Sequence, residues 1–196
     1  EVLSLEVDTI TEGGVERSFL YFDAERLSAL NIEKEDILLA RKQTPVPFDV
    51  VRRSGVLLQN ASLPPDLALL RLSAITADGK AIITAELRPE RLLKTVTTGS
   101  VTRVFLVDSL GRVLAHRDAS KVIAHEDFSA LTPVQSALSG KAARGAEQYE
   151  QGGEQRLASY ARVGNGLAAV VAEVPVAEVF GATRELSSRS LLFAAG

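Results

Sequence analysis

The chain has 196 residues, enough for one large domain or two small ones, and 46% hydrophobic with 24% charged residues marks a folded globular protein rather than a disordered one. A net charge of −3 leaves no electrostatic footprint for nucleic acid, and no run of about 20 apolar residues is present to span a bilayer. Cysteine is absent, which excludes disulfides, thiolate metal sites and cysteine nucleophiles together. Methionine is absent too, so the chain is expected to be cut from a longer protein, and no signal peptide opens it.

Along the first half, Val2–Ile10, Ser18–Phe22, Ile37–Arg41 and Phe48–Asn60 carry the β-branched and aromatic residues of strands, and Thr11–Glu16 (TEGGVE) is a turn. Asp23–Ile32 reads as a short helix, with Asp23 as N-cap and Leu27 and Leu30 on one side. Successive prolines make Ser62–Leu67 (SLPPDL) a rigid loop. Leu67–Leu87 is a hairpin: two apolar runs flank Asp78-Gly79, and glycine supplies the positive φ of a tight turn. Arg88–Gly99 then reads as a helix, with Pro89 in its first turn and Gly99 just past its end.

The second half opens with strands over Val101–Val107 and Arg112–His116 around an Asp108–Gly111 turn. His125–Lys141 holds a loop and a short helix near Pro133–Leu138, ended by Gly140. Gly145–Val163 is a hairpin turning at Gly152-Gly153. Gly164–Gly166 turns again into Leu167–Pro175, whose nearly continuous apolar run predicts a central strand. The short links between strands predict a mostly antiparallel sheet. Val176–Gly196 reads as a helix leaving the sheet, and its apolar end, LLFAAG, after Arg184 and Arg189 is expected to be the first turn of a transmembrane helix or a C-terminal helix end.

The segments VFLVDSLGRVLAHRD (Val104–Asp118), ALSGKAARG (Ala137–Gly145), YEQGGEQRLASYARV (Tyr149–Val163) and GLAAVVAEVPVAEVF (Gly166–Phe180) together resemble the membrane-proximal part of a Cache sensor domain, and the likeness extends over about Leu67–Phe180. The resemblance implies an α+β fold of two PAS-like lobes with antiparallel sheets: 1–88 as the membrane-distal lobe, 89–99 as a linker helix, 100–175 as the membrane-proximal lobe, and 176–196 as a helix leading to a transmembrane segment. It also implies a sensor outside the cytoplasmic membrane. Such a sensor binds a small molecule, needs no cofactor, is tied to the membrane by flanking helices outside this sequence, and pairs with a second copy. Its output would be a nucleotide cyclase, a histidine kinase or a chemotaxis transducer. Three family features are missing: an aromatic residue where GNGLAAVV has Leu167, the long N-terminal helix, and the Arg-x-Trp-Tyr signature of amino-acid-binding members, since the chain has no Trp. The last argues against an amino-acid receptor. The alternative from a different class is a ligand-free interaction or dimerisation module.

The chemistry-bearing residues are few. His116-Arg117-Asp118 spells the catalytic-loop motif of protein kinases, but the downstream Asn, Gly-rich loop and Asp-Phe-Gly segment are absent. No nucleophile elbow or phosphate-binding loop is present, so no enzyme is expected. His116, Asp118, His125 and Asp127 form two His-x-Asp pairs with metal-ligand chemistry but no known spacing, and strand-end and cap roles explain them better. Alternation over Arg156–Val163 places Arg156, Ala158, Tyr160 and Arg162 on one face. Arg162, Tyr160 and Tyr149 on the partner strand offer a guanidinium fork and hydroxyls to a carboxylate. With His116, and with Arg71 from the first half, they make the candidate ligand-binding set. Arg52 and Arg53 are further candidates, and Asn60-Ala61-Ser62 fits a glycosylation sequon.

Overall fold

The computed structural model describes residues 2–97 and 102–179. In the N-terminal lobe, β1 (Val2–Thr11) and β2 (Gly14–Phe22) form a hairpin, followed by α1 (Ala24–Ala29), α2 (Lys34–Gln43) and α3 (Phe48–Ser54), and then by β3 (Val56–Asn60), β4 (Leu70–Ile75) and β5 (Ala81–Leu87). The antiparallel sheet runs β2-β1-β5-β4-β3, so the first strand inserts beside the last and ties the ends of the lobe together. The turn between β4 and β5 closes as expected, with Gly79 at φ 72° and the Asp78 carboxylate accepting from the Lys80 N–H.

Two expected strands are helices instead. The run Ile37–Arg41 lies inside α2: only Ile37 and Ala40, one helical turn apart, are buried, while Leu38 and Leu39 stay exposed. Its start is fixed by Asp36, whose carboxylate accepts from the Glu33 N–H at 2.9 Å, and its charges run acidic to basic along the helix dipole. Phe48–Ser54 is α3, bounded by Pro47 before it and by Gly55 at φ 81° after it, so only Val56–Asn60 of that run is a strand.

After α4 (Glu90–Thr97) comes the C-terminal lobe: β6 (Arg103–Asp108), β7 (Val113–His116), α5 (Ala119–Ile123), α6 (Thr132–Leu138), β8 (Arg144–Gln151), β9 (Glu154–Val163), a 3-10 turn at Gly164–Gly166 and β10 (Ala168–Pro175). The sheet order is β7-β6-β10-β9-β8, with the apolar β10 at its centre as its sequence predicts. The β6–β7 turn is held by the Asp108 carboxylate, which accepts from the N–H groups of Leu110 and Arg112 at 2.9 Å. α5 was not expected; the Asp118 side chain caps it by accepting from Ser120 N–H. α6 lies on β8, β9 and β10, and the core between helix and sheet is apolar, built from residues such as Phe105, Val107, Val134, Ala158 and Val171. The four described residues after β10, 176–179, are helical. The rest of the expected C-terminal helix, and the end of the linker helix at Thr98 and Gly99, lie outside the described residues.

The lobes share a third apolar cluster. Leu92, Leu93 and Val96 of α4 pack with Leu70 and Leu87 on one side and with Leu106, Leu114 and Ala168 on the other. A polar pin crosses the same joint. The Asn60 amide, 2% exposed, donates to the carbonyls of Val113 at 2.8 Å and Val122 at 2.6 Å, while its oxygen accepts from Ser62 N–H. Both amide hydrogens are therefore engaged across the lobes, and the sequon at Asn60 is closed in the folded chain.

Candidate functional site

Strand β1 presents Ser4, Glu6 and Asp8 to the helices by simple alternation, and all three are buried. The neighbouring strands match them with Arg71 and Ser73 from β4 and with Thr84 and Glu86 from β5, so the helix-facing side of this sheet carries a buried polar patch between the apolar residues Leu3, Leu57 and Ile82. Against it lies Arg41, from the last turn of α2. Arg41 donates to Glu6 through Nη1 and to Glu86 through Nη2, and also reaches Ser4 Oγ at 3.2 Å. Arg71 is fully buried; its Nε donates to Glu86 at 2.7 Å and its Nη1 to the Thr44 carbonyl. Glu6 holds a second cation, Arg17 of β2.

This network walls a cavity of about 300 Å³ lined by Glu6, Asp8, Arg17, Arg41 and Arg71, with an apolar side of Val15, Pro45, Val46 and Phe48. Two polar atoms there have unmet capacity: Arg71 Nη2 and Arg41 Nε are buried without a hydrogen-bond partner. Asp8 sits opposite Arg17 across the β1–β2 pair. Burial, reinforced by the neighbouring Glu6 charge and opposed by Arg17 and Arg41, holds the Asp8 carboxyl above the ordinary aspartate range. Burial pushes Arg71 down, and the Glu86 carboxylate opposes that shift.

Of the sequence candidates, Arg71 alone lines this cavity. Tyr149 is buried on the inner face of the C-terminal sheet and donates to Glu173, which also pairs with Arg103 and Arg156. Burial and this carboxylate raise the Tyr149 hydroxyl far above its ordinary range. Tyr160 lies over Gly145, its cross-strand partner: a β-carbon there would stand 2.4 Å from the Tyr160 hydroxyl. With Arg144, Ala161, Val170 and Ala172 it borders a shallow, mostly apolar depression of about 600 Å³. Arg162 shares the Tyr160 face and reaches Gly140 after α6. His116 stacks edge-on against Phe128 and beside Phe105, and its Nδ1 accepts from Asp118 N–H at 2.9 Å; burial lowers its pKa. Asp127 accepts from Ser129 N–H, and a His125 ring nitrogen meets the Ser62 carbonyl at 2.8 Å. The two His-x-Asp pairs thus serve separate local contacts, and no group of three metal-ligating side chains occurs among the described residues. Arg52 and Arg53 are exposed on α3, beside an open groove that also contains Glu12 and Asp49.

No protein-family model matches the chain, and no curated protein matches it by sequence. Solved structures match along nearly its whole length. The ligand-binding domain of Mlp24, solved with asparagine, is 15% identical over 92% of this chain and 71% of its own, with a TM-score of 0.51. The extracellular domain of mmHK1S-Z3, named as a histidine kinase, superposes with a TM-score of 0.55 at 12% identity, over 94% of this chain and 77% of its own. The corresponding domain of mmHK1S-Z2 gives 0.53 at 13% identity, over 89% and 75%. The fold is Cache-like. Two antiparallel five-stranded sheets with flanking helices are the architecture that the sequence resemblance implied. Within this Cache-like frame the cavity residues Glu6, Asp8, Arg17 and Arg41, and Glu86 behind them, were missed by sequence reasoning. Their one signal was the i, i+2, i+4 polar row Ser4, Glu6, Asp8, which reads equally well as a solvent face.

Proposed function

We propose that the chain is the sensing part of a transmembrane receptor, held outside the cytoplasmic membrane, and that it binds a small molecule in the cavity of the N-terminal lobe. The observation that carries this reading is the cavity itself: a built, half-enclosed site whose buried walls keep unsatisfied polar groups, in a fold shared with ligand-binding domains. Buried polar atoms without partners are costly, and a ligand that meets them gains that cost back as affinity. The N-terminal lobe is then the membrane-distal one. A change there reaches the C-terminal lobe through the α4 cluster and the Asn60 pin. Amino acids are the first class to screen, because Mlp24 was solved with asparagine; the missing Trp signature argues that any such ligand is held differently here.

The test is a thermal-shift screen of the chain against amino acids, amines, organic acids and nucleobases, repeated on Val15→Trp, which fills the cavity from its partly exposed wall. Ligands that stabilise the wild type but not the filled variant support the reading. Stabilisation that survives the filling places the ligand elsewhere, and no stabilisation by any class overturns ligand sensing.

A second reading, a ligand-free dimerisation module, is favoured by one observation. The outer face of the N-terminal sheet pairs Leu5 with Tyr21 and Ala85, and Val7 with Phe19 and Ile83, giving an apolar band with Phe19 and Tyr21 about half exposed. Sedimentation of the wild type against Phe19→Ser/Tyr21→Ser decides it: a dimer abolished by the double change supports it, and a monomeric wild type removes it.

A further inference from the structure

The chain has two histidines, and they flank α5, the short helix that carries part of the joint between the lobes. The Val122 carbonyl of α5 accepts from the Asn60 amide at 2.6 Å, and His125 Nε2, just past the helix, meets the Ser62 carbonyl. A carbonyl only accepts, so His125 Nε2 bears a proton and donates. A second proton on that ring goes to Nδ1 and leaves the contact intact. His116 is held the other way round. Its Nδ1 accepts from the Asp118 N–H at 2.9 Å, so the neutral ring bears its proton on Nε2. A second proton enters only at Nδ1, where N–H would then face N–H.

We propose that His116 makes the joint between the lobes acid-sensitive: when its ring gains a proton, α5 loosens and its hold on Asn60 weakens. This input is separate from the cavity of the N-terminal lobe. The Asp118 carbonyl lies 3.3 Å from the same Nδ1, so the protonated ring has a second partner within reach. Taking it releases the Asp118 N–H and pulls on a carbonyl that accepts from Lys121 N–H at 3.2 Å in the first turn of α5. Asp118 also caps that turn through Ser120 N–H. Burial against Phe105 and Phe128 opposes the proton most, and Lys121 of α5 and Arg103 of β6 add to this, while Asp118 favours it. Lys121 is itself paired with Glu126 of the next loop. Of the other elements packed on β7, α4 brings Leu92, Leu93 and Val96 to the shared cluster, and β3 brings the neutral Asn60. The ring is therefore neutral at pH 7 and charges only below the ordinary 6.5. Between its folded value and 6.5 the native state binds fewer protons than the unfolded chain, so stability is lost as pH falls through that window.

Nuclear magnetic resonance of the whole 196-residue chain, titrated from pH 8 to pH 5, tests this. The His116 ring is expected to charge below 6.5 while the chain stays folded, with the Asp118 amide and the Asn60 side-chain amide shifting in the same step. A ring that stays neutral over the whole range overturns the proposal, and so does a titration that leaves the Asn60 amide unmoved. Thermal melting gives a second, independent readout. His116→Asn keeps an acceptor for the Asp118 N–H in a side chain that cannot be charged, and His125→Gln keeps a donor for Ser62. From pH 7 to pH 5 the wild type and His125→Gln are expected to lose melting temperature, and His116→Asn to lose less. Equal losses in the wild type and His116→Asn overturn the proposal. Losses rather than absolute melting temperatures are compared, so the packing lost with the ring does not enter.

Discussion

The two lobes share a strand topology and differ in what they turn inward. Each sheet places its first strand beside its last and covers one face with the helices between them. The C-terminal lobe fills that face with Phe105, Val107, Ala158, Ala169 and Val171, packed under α6. The N-terminal lobe sets Ser4, Glu6, Asp8, Arg71 and Glu86 in the equivalent layer, and its apolar residues Leu5 and Val7 face outward. The N-terminal lobe keeps apolar clusters around Leu3, Leu27 and Ile37 and around Val51, Leu57 and Ile82, but between them it buries an ionic layer that lines a cavity. A duplicated architecture can therefore carry different inner layers on the same strand order, with the larger buried ionic layer in the N-terminal lobe.

Several changes break or sharpen that contrast. The largest effect is expected for Glu86→Ala, which strands Arg71 and Arg41 in the interior and should cost about 3–5 kcal/mol in urea unfolding. Phe105→Ala in the other lobe should cost a similar amount, about 3–5 kcal/mol, but through a cavity rather than a charge. The two are distinguished by a paired replacement, Arg71→Met with Glu86→Leu, which should recover much of the Glu86→Ala loss. If it does not, the ionic layer is more than a balanced set of pairs. Next in size is Gly145→Ala, which forces the Tyr160 ring from its place and should cost about 1–3 kcal/mol.

The smallest change has the opposite sign. The Asp8 carboxyl is raised above 3.8 in the folded chain, so the native state binds more protons than the unfolded one between 3.8 and the folded value, and stability falls as pH rises through that window. Asp8→Asn removes this penalty. The variant should melt higher than the wild type at pH 7, and the gain should vanish below pH 3.8. A variant that melts lower at pH 7 would mean that the charged form is favourably held.

How much of this was legible in the chain varied with the kind of signal. Turn chemistry was plain: Asp78-Gly79, Asp108–Gly111 and Gly152-Gly153 each mark a hairpin that the structure contains. The run Ile37–Ala40 misled, because four apolar residues in succession fit a buried strand, whereas the helix buries only the first and last. The decisive cue, Asp36 three residues after Glu33, is a local backbone contact that hydropathy does not register. The cavity was less legible still. Alternation separates the two faces of β1 but does not say which is buried, and hydropathy favours the wrong one. Arg71 could be named from sequence, but its role depends on Glu86, 15 residues away, and on Arg41, 45 residues from Glu86. Tyr149 and Arg156 were legible as neighbours, while their shared partner Glu173 comes from a third strand.

The Asn60 amide has a consequence for how the chain can be made. In a eukaryotic secretory host, oligosaccharide is transferred to sequons while the polypeptide is still emerging and unfolded, so Asn60 would be open to modification before the lobes meet. A sugar on Nδ2 replaces an amide hydrogen that now reaches Val113 or Val122 and puts a bulky hydrated group where the two lobes must close. Glycosylated molecules should then fail quality control, and the secreted product should be short of yield and free of glycan at this site. Replacing Ser62 by Ala to erase the sequon trades that problem for another, because the Ser62 hydroxyl accepts from Leu69 N–H at 3.0 Å in the same loop. A host without this glycosylation step avoids both.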